Sequence, residues 1–103
     1  MIGKFEELTL GALIKAGPEV NAAKVYNVLE SALQKAPPFA ALYTALDRLE
    51  KKGLVSETRD EAGPRARRLF TITGGGLQAY AEAVNATRAI EGFAGMPGAQ
   101  VYG

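Results

Sequence analysis

Apolar residues recur at helical spacing through the first half of the chain, and the period drops to two after Gly53. In residues 5–15, Phe5, Leu8 and Ala12 fall on one helical spacing, and Leu10, Leu13 and Ile14 on another. Glu6 and Glu7 stand in the first turn and Lys15 in the last, as the helix dipole favours. Gly17-Pro18 stops this helix. Asn21 is a good N-cap for a second helix carrying Ala22, Val25, Tyr26, Val28, Leu29, Ala32 and Leu33. Pro37-Pro38 ends it, because proline pushes the preceding residue out of the helical region. Pro38 then suits the first turn of a third helix. There Leu42, Leu46 and Leu49 make one buried stripe, and Gly53 supplies the terminating glycine.

Residues 54–59 read as a strand, residues 60–64 as a turn with Gly63-Pro64 at its tip, and residues 67–72 as the return strand. Phe70 and Ile72 are expected on the core face of that strand. Thr73 is the expected N-cap of a last helix reaching about Glu91. Gly74, Gly75 and Gly76 weaken its first turn, since glycine inside a helix costs about 1 kcal/mol against alanine. Residues 92–103, GFAGMPGAQVYG, are predicted to form a flexible tail.

Three helices, a two-stranded hairpin and a fourth helix form the layout of a winged helix-turn-helix, an α+β fold that is mostly α. The prediction is one domain over residues 1–91, with residues 74–91 as a dimerisation helix. If the leucine stripe faces inward, Ala40, Tyr43, Thr44, Asp47 and Lys51 face wholly or partly outward, where a major groove would receive the helix. Ala40 and Thr44 are small enough for close approach to base edges. Tyr43, Thr44 and Lys51 can reach bases or phosphates. Tyr43 could instead cap the edge of the core. Arg48 fits a phosphate or a neighbouring carboxylate equally well. Lys51 and Lys52 are also ordinary charges for a helix C-terminus. The hairpin would set Arg65, Arg67 and Arg68 beside the duplex, with one of them available to pair with Glu57 or Glu61 across the hairpin.

Composition narrows the chemistry. The chain has no cysteine and no histidine, which removes disulfides, thiolate nucleophiles, the commonest general base and the commonest zinc ligand. With two serines and no acid pair in a recognisable setting, an enzyme is not expected, nor are a cofactor or a metal. Gly74-Gly75-Gly76 lacks the lysine and hydroxyl of a phosphate-binding loop. No apolar run approaches a membrane span, and the start of the chain carries no secretory h-region, so a cytoplasmic protein is expected. Net charge is only +1, but residues 43–72 carry seven basic and five acidic side chains, against five and six elsewhere.

The last helix has two apolar faces, Leu77, Tyr80, Ala81 and Val84 on one, and Ala83, Ala86 and Ile90 running on to Phe93 on the other. A domain of this size buries only one, so the second calls for a two-fold mate. Phe5, Leu77, Tyr80, Val84, Ile90 and Phe93 are the expected dimer residues. Phe5, Tyr80 and Phe93 could alternatively line a pocket between subunits.

The run Ala41-Leu42-Tyr43-Thr44-Ala45-Leu46-Asp47-Arg48-Leu49-Glu50-Lys51-Lys52-Gly53-Leu54-Val55 resembles the recognition-helix signature of the PadR-like transcriptional regulators. Phe5-Glu6-Glu7-Leu8, Leu10-Gly11-Ala12-Leu13 and Arg67-Arg68-Leu69-Phe70-Thr71-Ile72-Thr73 extend the resemblance over about residues 5–91. It implies the short form with a single C-terminal helix. It also implies a homodimer that binds double-stranded DNA at a palindromic operator, usually as a repressor. Members often respond to a small apolar or aromatic effector. The chain departs from the family pattern with Asn21-Ala22 in place of Tyr-Gly, Pro38 in place of Ser, and Thr73-Gly74-Gly75-Gly76 in place of Thr-Pro-Ala-Gly. It has no tryptophan on which a flat ligand could stack. A winged helix used only for protein–protein contact is the alternative function.

Overall fold

A computed structural model describes residues 2–94 of the chain, with side chains through Glu91. The order is α1 (Lys4–Ala16), α2 (Ala22–Ala32), α3 (Phe39–Lys51), β1 (Val55–Asp60), β2 (Arg67–Ile72) and α4 (Gly74–Ala94). The two strands form one antiparallel hairpin, with Val55 opposite Ile72, Glu57 opposite Phe70 and Arg59 opposite Arg68. This is the winged helix-turn-helix predicted from the sequence.

Boundaries shift by a few residues for local reasons. Leu33, expected on α2, is its extended C-cap, while Asn21 caps the other end by accepting from the Lys24 N–H at 2.9 Å. Pro38 is the N-cap of α3 and not its first helical residue. α4 continues three residues past Glu91, to Ala94. The remainder of the expected tail, residues 95–103, lies outside the described residues.

The core gathers one face from every element but α4. Leu10 and Leu13 of α1, Val25 and Leu29 of α2, Leu42, Leu46 and Leu49 of α3, Val55 of β1 and Phe70 of β2 are all buried. Each such side chain contributes roughly 1.5–3 kcal/mol of apolar transfer, so the leucine stripe holds α3 and leaves its other side free. The linker between α1 and α2 joins the wing. Val20 donates to the Phe70 carbonyl at 3.1 Å and accepts from the Phe70 N–H at 2.7 Å.

From α4, Ala79 and Tyr80 are the apolar side chains packed against the core among the described residues. The start of α4 is locked into the wing root: the Thr73 hydroxyl donates to the Gly53 carbonyl at 2.7 Å and accepts from the Gly76 N–H at 3.1 Å. Thr73 N–H in turn donates to the Leu54 carbonyl at 3.0 Å. Gly53 has φ 76°, the left-handed conformation that lets the chain pass from α3 to β1 through the three residues 52–54. One turn along α4, Tyr80 lies over α1 at Gly11, where an added Cβ would come within 3.0 Å of its ring. Leu77 and Tyr80 lie about 60° apart around α4, but the slot at Gly11 receives Tyr80, whereas Leu77 stays 50% exposed. No helix of the described residues is long and apolar enough to cross a membrane.

Candidate nucleic-acid interface

The turn between α2 and α3 is braced by aromatic side chains. The Tyr26 hydroxyl donates to the Pro37 carbonyl at 2.7 Å. Its ring meets Phe39 edge-on at 5.0 Å between centroids, and Phe39 meets Tyr43 in the same way at 5.4 Å. Tyr43 is half-buried, so its ring serves the edge of the core while it stands on the outer side of α3. Ala40, Thr44, Asp47, Arg48 and Lys51 are exposed. They share the surface that the leucine stripe leaves bare, because α3 carries its apolar positions on one side only.

Arg48 sits near the N-terminus of α1. With Gly3, Phe5, Glu6, Ala41, Thr44 and Ala45 it lines a shallow cleft of about 310 Å³. Glu6 is buried there, accepting from the Gly3 N–H at 2.8 Å and from Lys52 Nζ at 3.0 and 2.9 Å. Burial alone would raise the Glu6 pKa. The Gly3 N–H and the Lys52 ammonium outweigh it, with help from the charge of Arg48, and hold the carboxyl below its usual value.

The wing separates its arginines. Arg65 and Arg67 are exposed. Arg68, Phe70 and Ile72 share one face of β2 and Arg67 the other, by strand alternation. Arg68 is drawn in toward α3. Its Nε donates to Glu57 Oε2 and its Nη2 to Glu57 Oε1, both at 2.8 Å. Nη2 also donates to Asp47 Oδ1 at 2.8 Å. The guanidinium carbon lies 5.4 Å from the Tyr43 ring centroid and 5.1 Å from that of Phe70. The paired carboxylates Glu57 and Asp47 raise the Arg68 pKa still further above its ordinary value. The Arg68 fork holds Glu57 below the usual carboxylate range. The neighbouring Glu57 carboxyl pushes Glu50 above it.

Of the residues expected at a DNA surface, the structure thus brings Ala40, Tyr43, Thr44, Asp47, Arg48 and Lys51 onto one side of α3, with Arg65 and Arg67 on the wing. It binds two of the expected residues, Asp47 and Arg68, to each other. Sequence reasoning offered Glu57 as a partner for one wing arginine, and Arg68 is the one that takes it; it missed Glu50 and the bond from Arg68 to Asp47. The available signal was parity: Arg68 is an even step from Phe70 and Ile72, so it shares their inward face.

The residues expected at a dimer contact are scattered. Phe5 is half-buried against the core, Tyr80 packs on α1, and Val84 is half-buried. Leu77 and Ile90 are exposed at 50% and 71%. The Phe93 side chain lies outside the described residues. Ile2, Lys52 and Leu54 face Ala79, Glu82, Ala83 and Ala86 of α4 across an open cleft of about 660 Å³.

The profile of a family described as "Transcriptional regulator PadR-like family" matches residues 9–82. No curated protein sequence matches the chain. Among solved structures, a PadR family transcription regulator from Clostridium difficile is similar with a TM-score of 0.79 and 17% identity, covering 98% of this chain and 100% of that one. FabT of Streptococcus pneumoniae, solved in complex with DNA, gives 0.63 and 21%, covering 98% and 66%. BpsR of Bordetella bronchiseptica, described as regulated in DNA binding by 6-hydroxynicotinic acid, gives 0.70 and 23%, covering 95% and 70%. Identities this low show a common fold.

Proposed function

Because the chain belongs to the PadR-like family of transcriptional regulators, we propose that it binds a palindromic operator as a cytoplasmic homodimer and represses transcription there. The observation that carries this reading is the bare outer face of α3 beside a wing with two unburied arginines, Arg65 and Arg67. α3 enters the major groove, which is about 12 Å wide. Ala40 and Thr44 allow close approach to base edges, while Tyr43, Arg48 and Lys51 reach bases or phosphates. Arg65 and Arg67 lie along the backbone or in the minor groove, where negative potential favours them. A DNA complex of the same fold supports the geometry.

Dimerisation is supported by apolar surface that the described residues leave uncovered: Ile14 on α1, and Leu77 and Ile90 on α4. A two-fold pair would set two α3 helices about 34 Å apart, one turn of DNA. The cleft between Leu54 and α4 is lined mainly by apolar side chains and matches the size range of small-molecule sites. It is our choice for the seat of a small apolar or aromatic effector, and a ligand-regulated relative of the same fold supports that choice.

The test is selection of bound genomic fragments by the protein, followed by binding isotherms at several salt concentrations. The expected result is an inverted-repeat motif and affinity that falls steeply with salt. Arg65→Ala with Arg67→Ala should weaken binding to all sequences and lower the salt slope by about 2. Thr44→Ala should change base preference more than overall affinity. Absence of any salt-dependent DNA binding would leave the protein–protein alternative standing.

A further inference from the structure

We propose that Arg68 is the positioning residue that fixes the angle of the wing against α3, and that it does not itself contact DNA. The inference rests on the DNA-binding reading for its consequence, but its geometry belongs to the free protein.

Arg68 reaches from β2 to both neighbouring elements at once. Two parallel bonds to Glu57 fix the guanidinium plane within the hairpin, and the third bond, to Asp47, crosses to α3. Tyr43 of α3 and Phe70 of β2 lie against the same guanidinium. The side chain is 32% exposed, Glu57 only 17%, so the fork is held in a partly desolvated site where such bonds are strong. At the outer end of the hairpin, Arg59, Arg65 and Arg67 are exposed. A two-stranded ribbon of this kind is not rigid by itself. Among the described residues, the Arg68–Asp47 bond is the one side-chain hydrogen bond between the strands and α3, so the crosslink ties the wing to the recognition helix.

The charges argue against a phosphate role. Arg68 is outnumbered by Asp47 and Glu57, and Glu50 adjoins Glu57. A phosphate arriving at Arg68 would meet at least two carboxylates for one cation. Arg67, one residue away on the other face of the strand, carries no such burden and is exposed. The neighbouring arginines thus divide the work, with Arg67 toward the duplex and Arg68 toward the fold.

Lysine separates the two roles. It keeps the charge a phosphate needs but cannot form the planar fork to Glu57 while bonding Asp47. Arg68→Lys should therefore behave as a loss, and Arg67→Lys should retain affinity within about threefold. A wing held correctly in only a tenth of the population weakens apparent affinity about tenfold. Arg68→Lys should show a drop of that order for the selected operator, with an unchanged salt slope. In the free protein, residual dipolar couplings of the amides in β1 and β2 should report one fixed wing orientation relative to α3. They should be scaled down in Arg68→Lys, while couplings within α1, α2 and α3 stay as they were. Glu57→Gln, which preserves size, should scale the same couplings and covers the case in which Arg68→Lys folds poorly.

Wing couplings unchanged in both variants would overturn the proposal. So would wild-type affinity in Arg68→Lys together with a salt slope lowered by about 1 in Arg68→Gln, the signature of a phosphate contact. A protein that binds no DNA at all would overturn the function proposed above, and the couplings of the free protein would still decide the role of Arg68.

Discussion

Alanine substitutions at the three consecutive glycines that open α4 should have opposite signs. On helix propensity alone each Gly→Ala change would stabilise the domain by up to about 1 kcal/mol. At Gly74 an added Cβ meets nothing within 4 Å, so Gly74→Ala should realise several tenths of that gain. At Gly75 the nearest atom is the Gly53 carbonyl oxygen at 3.6 Å, an ordinary contact, and the effect should be small and favourable. At Gly76 the new Cβ would fall on the Leu54 carbonyl oxygen and within 2.6 Å of Ile72 Cγ1. That oxygen is backbone, held by the Thr73 N–H at 3.0 Å, so it cannot swing aside as a flexible side chain would. Overpacking of this kind costs about 1–3 kcal/mol even where side chains can yield. Against rigid backbone the upper end applies, and the propensity gain offsets about a third of it. Gly76→Ala should thus destabilise by about 2 kcal/mol. For a domain of this size about 1 kcal/mol moves the melting temperature by roughly 4–8 °C. Calorimetry should show Gly76→Ala melting about 8–16 °C below wild type and Gly74→Ala a few degrees above it. If Gly76→Ala melts at or above wild type, then α4 does not seat on the wing root as described.

Two further outcomes concern the joints that position the interface. Glu6 has a lowered pKa in the folded protein, so its stabilising contribution is fully present above its unfolded value near 4.5 and is lost as pH falls through the lower folded value. Glu6→Gln should cost about 1 kcal/mol at neutral pH and reduce the loss of stability on acidification below pH 4.5, as read by urea melts across pH. Tyr26→Phe removes the hydroxyl that donates to Pro37 at 2.7 Å and keeps the ring against Phe39. It should lower stability by about 1 kcal/mol in denaturant unfolding and raise hydrogen exchange in the turn before α3.

Element order, the inward leucines of α3, both strands of the wing and the Thr73 cap were legible along the chain, because each depends on residues a few positions apart. A 3.6-residue or two-residue period identifies which side of an element is apolar, and proline, glycine and asparagine mark where it starts or stops. The family signature is of the same local kind, one unbroken run from Ala41 to Val55. Even the inward facing of Arg68 was present in the chain as parity with Phe70 and Ile72.

What parity could not supply was the neighbour waiting on that face. Glu57 was within reach of a hairpin reading, but Arg68 meets Asp47, twenty-one residues away on α3, only once the hairpin has folded back over that helix. Lys52 finds Glu6 across forty-six residues in the same manner. Likewise the three glycines of α4 look alike as sequence, and only the carbonyl of Leu54 tells Gly76 from Gly74. Short-range backbone preference sets the direction in which a side chain leaves its element. Which partner it reaches is decided by packing between elements, and so it belongs to the tertiary structure alone.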